Sequence, residues 1–145
     1  MDTGISFAGG ICLTPDQSLL LAGDRRGQFV YSFHINPDGT LADRQPYHHL
    51  RIPDGVMESG AAGMTVDRRG TLYVVTHLGI QMCDQAGRVN CIIPTPNGKL
   101  ANLCFGGQKF DTIFAACGDR IFKRKLKVQG ANAFEAPFKP AAPRL

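Results

Sequence analysis

No apolar run in this chain approaches the ~20 residues needed to cross a bilayer, so the sequence predicts no membrane segment. Residues Met1 to Ile11 carry neither a basic leading stretch nor a long apolar core. As written, the chain is therefore expected to be cytoplasmic, with the loss of an earlier leader from a longer gene left open. The cysteines Cys12, Cys83, Cys91, Cys104 and Cys117 form no CxxC pair and show no zinc-site spacing. Ser18, Ser32 and Ser59 sit in no nucleophile-elbow pattern, and no Ser/His/Asp set is suggested. Gly9-Gly10 and Gly106-Gly107 lack the following helix that a phosphate loop requires. Acidic residues number 12 against 16 Lys and Arg, a mild excess of positive charge. Its one local concentration, Lys123-Arg124-Lys125-Lys127, has no interleaved aromatics. It reads as a solvated strand edge, and no nucleic-acid partner is expected.

What is present is a pattern of short apolar strands. Gly10 to Asp16, Gly63 to Gly70 and Leu103 to Gly107 each run from apolar residues into a polar turn. A second apolar strand follows each, at Leu19 to Ala22, Leu72 to Val75 and Thr112 to Ala115. A third comes after it, at Phe29 to Phe33, Gly79 to Met82 and Arg120 to Lys123. Self-similarity at roughly 40–50 residues is the signature of β-propeller blades. The 17 Gly and 9 Pro suit a turn-rich all-β chain. At roughly 40–45 residues per blade, 145 residues hold about three antiparallel blades, nominally four-stranded and half of a six-bladed ring.

The blades are expected at about 7–51, 62–94 and 100–127, with an extended Pro-rich tail over 128–145 that Phe134 and Phe138 could pin to the body. Leu41 to Leu50 is the outer strand of the first blade, an edge because Pro46 cannot donate to a ladder. The third blade shows no fourth strand in the sequence, which implies completion by another segment or chain. Cys12 and Cys104 read as small core residues. Cys83 and Cys91 flank the turn 84–88, which leaves a disulfide across that hairpin open. His48 and His49 are adjacent on a strand and so face opposite sides, a poor arrangement for joint metal binding.

The ordered set GICLTPDQSLLLAGDRRGQFVYSF, NPDGTLADRQ, GMTVDRRGTLYVVT and NLCFGG resembles the C-terminal half of the gluconolactonase family, which includes regucalcin (senescence marker protein) and the luciferin-regenerating enzymes. The resemblance implies a six-bladed propeller that hydrolyses sugar lactones, with Ca²⁺ or Zn²⁺ held at the mouth of a central channel. It further implies donors from a Glu, an Asn and an Asp at the starts of innermost strands, where side chains converge and oxygen ligands suit a hard cation. The Glu belongs to the N-terminal half. The Asn position falls here on Gly9 and the Asp position on Ala62, so neither is a ligand or a base. Asn102 holds the matching place in the third blade. Asp54 and Glu58 in the preceding loop, and His77 after the second strand of the second blade, are the other candidate mouth residues.

The expectation is therefore a lactonase-like half-propeller without catalytic or metal-ligating residues of its own and with no cofactor in the isolated chain. Its partner would be a second copy closing a six-bladed dimer, or a separate N-terminal half. A small sugar lactone is the substrate if the ring is active. The alternative is a non-catalytic binding module.

Overall fold

The computed structural model describes residues 4–143. Three antiparallel sheets hold eleven strands among these residues, and none of the elements is a helix. The first sheet pairs β1 (Ala8–Leu13), β2 (Leu19–Asp24), β3 (Phe29–Ile35) and β4 (Leu41–His49) in sequence order. The second does the same with β5 (Met64–Val66), β6 (Leu72–Thr76), β7 (Gly79–Cys83) and β8 (Val89–Ile93). The third contains only β9 (Leu100–Gly106), β10 (Thr112–Cys117) and β11 (Arg120–Lys125), so the nominal four strands per blade fail in this sheet. The chain after β11 turns away instead of returning along it. No helix among the described residues is long and apolar enough to cross a membrane.

The middle sheet shows why these residues are strands. Every residue of β6, Leu72-Tyr73-Val74-Val75-Thr76, is buried, because neighbours cover both faces. Alternation sends Leu72 and Val74 into a cluster with Leu21 and Val30 of the first sheet and Leu50 just after it. It sends Tyr73 and Val75 into a second cluster with Leu103, Phe105, Ile113 and Ala115 of the third. Tyr73 and Phe105 meet edge to face at 5.3 Å, and the Tyr73 hydroxyl donates to Asp67 Oδ2 at 3.1 Å. Gln81, wholly buried, ties the first sheet to the second: its Nε2 donates to Arg51 O at 2.7 Å, and its Oε1 accepts from Arg51 N at 2.9 Å. β4 is the outer edge of the first sheet, with Pro46 opposite Tyr31.

One cysteine expectation needs correction, and the pairing left open is resolved. Cys104 is exposed, because the alternation that buries Leu103 and Phe105 turns it to the uncovered face of the third sheet. Cys83 and Cys91 are both free. A register shift sets Cys83 opposite Val89 and Cys91 opposite Met82, so Cys83 is buried in the first seam while Cys91 is exposed. Burial pushes the Cys12 and Cys83 thiols up to about 12, which leaves them poor nucleophiles.

The tail is pinned, but not by Phe134, which is 98% exposed. Backbone groups do most of the work. Ala131 N donates to Val66 O at 2.9 Å, Gly130 N to Phe110 O at 2.8 Å and Phe138 N to Pro15 O at 3.1 Å. Residues 129–138 therefore cross the turn ends of all three sheets. Arg68 pairs with Glu135 and lies over the Phe138 ring at 4.5 Å. Arg144 and Leu145, the end of the expected tail, lie outside the described residues, as do Met1 to Thr3 of the leader reading.

Candidate functional site

The innermost strands β1, β5 and β9 lie side by side in that order. All three begin at the same end, which we call the mouth: Gly63 N donates to Ala101 O at 3.4 Å, and Gly9 lies against the Ala61 carbonyl. The tail crosses the opposite end. The mouth is where the sequence places its candidate residues.

Gly9 is the second residue of β1 and stands unpaired in a bulge, because Ala8 faces Asp24 and Gly10 faces Gly23. Ala62 lies two residues before β5, where its N–H donates to Val75 O at 3.0 Å. Neither residue carries a side-chain oxygen. Asn102 is not at a strand start: it is the third residue of β9, opposite Ala116. Its Oδ1 accepts from the adjacent Leu103 N at 2.8 Å and rests against the Cα of Gly63.

Glu58 and His77 come together from different elements. The loop 50–63 is stitched to both sheets: Ser59 N donates to Gly27 O at 3.0 Å, Gly60 N to Arg25 O at 3.0 Å and His77 N to Ser59 O at 2.9 Å. This brings Glu58 Oε1 to 3.6 Å from His77 Nε2, with both side chains close to half exposed. At that distance and exposure the contact is solvent-screened and of small energetic weight. Asp54 is exposed in the same loop. Among the described residues, no group of three or more His, Cys, Asp or Glu converges as a metal site would require. Positions 9 and 62 therefore offer no side-chain oxygen to the divalent cation that the resemblance implies.

Two buried carboxylates escaped the sequence reading. Asp24, at the mouth end of β2, accepts from Ser6 N at 3.0 Å, Phe7 N at 3.0 Å and Arg26 N at 3.1 Å. Asp67, at the opposite end, accepts from Arg69 N at 2.8 Å and Thr71 N at 2.9 Å. Both organise their turns through backbone amides, and Asp67 Oδ2 also accepts from the Tyr73 hydroxyl. The available signal was their place at the head of the Asp-Arg-Arg-Gly turns, 24–27 and 67–70.

Residues 1–117 match the family profile described as the SMP-30/Gluconolactonase/LRE-like region. The chain is 25% identical over 137 residues to a gluconolactonase of Zymomonas mobilis, covering 90% of this chain and 38% of the relative. A solved gluconolactonase from Xanthomonas campestris superposes with a TM-score of 0.68 at 26% identity, over 88% of this chain and 39% of that one. A calcium-binding regucalcin from Agrobacterium tumefaciens superposes with a TM-score of 0.70 at 15% identity, over 93% and 50%. The chain thus spans half or less of the length of each of these relatives.

Proposed function

The chain belongs to the SMP-30/gluconolactonase/LRE-like family, and from that premise we propose that it is half of a sugar-lactone hydrolase propeller, inactive alone for want of a metal site. The observation that carries this reading is the chemistry at the mouth. Positions 9 and 62, where the resemblance implies an amide and a carboxylate donor, hold Gly and Ala. Hard-cation affinity tracks the number and charge of oxygen ligands, so removing two of three donors disables the site. The other groups nearby do not replace them: Asn102 is turned onto its own strand, and Glu58 is paired with His77.

The half-ring reading is supported by the faces at its two ends. On the first sheet Ile11 is 63% exposed, and on the third Ile121 is 77% exposed. Exposed β-branched residues at both ends of an otherwise packed stack are what remains where further blades would lie. A second copy of the chain would supply them and close six blades about a two-fold axis.

The test is hydrolysis of a sugar δ-lactone by the purified chain, with Ca²⁺ or Zn²⁺ and with chelator. The expected result is a rate equal to spontaneous hydrolysis under every condition. Turnover that rises with metal and falls with chelator would overturn the proposal, because it requires a functioning site.

A further inference from the structure

The mouth glycines are closed against side chains, and that goes beyond the absence of a donor. A Cβ on Gly9 would overlap the Ala61 carbonyl oxygen and lie 3.1 Å from its carbon and 3.3 Å from Arg25 Cβ. On Gly10 it would overlap the Ala62 carbonyl oxygen, 2.9 Å from that carbon and 3.3 Å from the Gly63 Cα. On Gly63 it would overlap Asn102 Oδ1 and lie 2.6 Å from Asn102 Cγ and 2.8 Å from its Cα. None of these three glycines has a left-handed backbone, so the constraint is space and not conformation.

The obstacles at Gly9 and Gly10 are main-chain atoms, which a rotamer change cannot move. Those atoms are held in place. Ala62 N donates to Val75 O and Val75 N to Gly63 O, each at 3.0 Å, and Ala61 N donates to Ser59 Oγ at 3.2 Å. Ser59 Oγ in turn donates to Asp24 O at 3.2 Å. The 59–63 segment is thereby fixed to the first and second sheets together.

We propose that Gly9, Gly10 and Gly63 form a close-packed joint, main chain on main chain at Gly9 and Gly10 and main chain against Asn102 at Gly63, that ties β1, β5 and β9 together at the mouth, where the resemblance places a metal. A side-chain donor at position 9 and this joint exclude one another. Substitution at 9 and 62 therefore does not restore a cation site. The metal half of the proposal rests on the lactonase reading above, whereas the joint rests on packing alone.

Thermal unfolding of the full chain tests the two halves separately. Gly9→Ala and Gly63→Ala should each lower Tm by about 5 °C or more, as overpacking of a fixed contact does. Gly9→Asn should cost as much as Gly9→Ala. Gly9→Asn with Ala62→Asp should show no rise in Tm and no calorimetric binding signal with millimolar Ca²⁺. A Gly9→Ala chain that melts within about a degree of the parent would overturn the joint. Calcium-dependent stabilisation of the double variant would overturn the exclusion of the metal, whatever the lactonase assay gives. Should Gly9→Ala yield no folded protein, a cycle of Gly63→Ala with Asn102→Ala decides. The joint requires that removing the Asn102 side chain recover part of the Gly63→Ala loss, and strictly additive losses refute it.

Discussion

His48 is the residue at which this fold is exposed to acid. It is 1% accessible, lies opposite Val30 in the ladder and packs its ring 4.1 Å from that of Tyr47. Neither ring nitrogen has a hydrogen-bond partner among the described residues. Burial lowers its pKa to about 4, against a small opposing pull from Asp84. The folded state therefore holds the neutral ring where the unfolded chain, near pH 6.5, would already bind a proton. Stability from this group is complete above about pH 6.5 and falls as pH drops toward 4, by a total on the order of 3 kcal/mol. Urea midpoints measured between pH 7.5 and 4 should show that fall in the parent chain and lose it in His48→Phe. An unchanged slope in the variant would assign the acid sensitivity elsewhere. The opposite orientation of His48 and His49 was legible from strand period alone, since one is buried and the other exposed. The burial of His48 was not legible, because it depends on which face of β4 meets the second sheet. Cys104 failed for the same reason: an apolar strand fixes alternation, but not whether both faces are covered.

At the scale of the element, the tail is more informative than the strands. A proline-rich stretch after the last strand reads as irregular, and it is irregular. Its order comes from partners far away in sequence, Pro15, Val66 and Phe110, which no local pattern announces. The two phenylalanines differ accordingly. Phe138→Ala should lower the unfolding free energy by about 1 kcal/mol, through loss of the Arg68 contact, whereas Phe134→Ala should be neutral. Equal effects in chemical denaturation would mean that the tail is anchored by bulk apolar contact and not at Arg68. Strand positions, by contrast, were readable almost throughout, because Gly, Pro and Asx turns punctuate them. Even the missing partner of β11 was visible as a missing apolar run.

For the whole molecule, the open question is what lies against the outer faces of the first and third sheets. With Ile11 and Ile121 uncovered at opposite ends, the closed-ring reading expects a dimer at micromolar concentration in sedimentation equilibrium. A monomer that unfolds cooperatively would remove the second copy as the partner and leave a separate N-terminal half. The candidate site was legible only as a set of positions. Gly9 and Ala62 could be placed at the mouth from their motifs, but their fit against the Ala61 and Ala62 carbonyls needed the geometry between sheets. The tail carries one last consequence, for how the chain is made. Residues 129–138 leave the ribosome after every strand they later hold, so each sheet can form in turn during synthesis while the clasp across their ends cannot. Until that segment emerges, the carbonyls of Pro15, Val66 and Phe110 lack the amide donors that it later brings them.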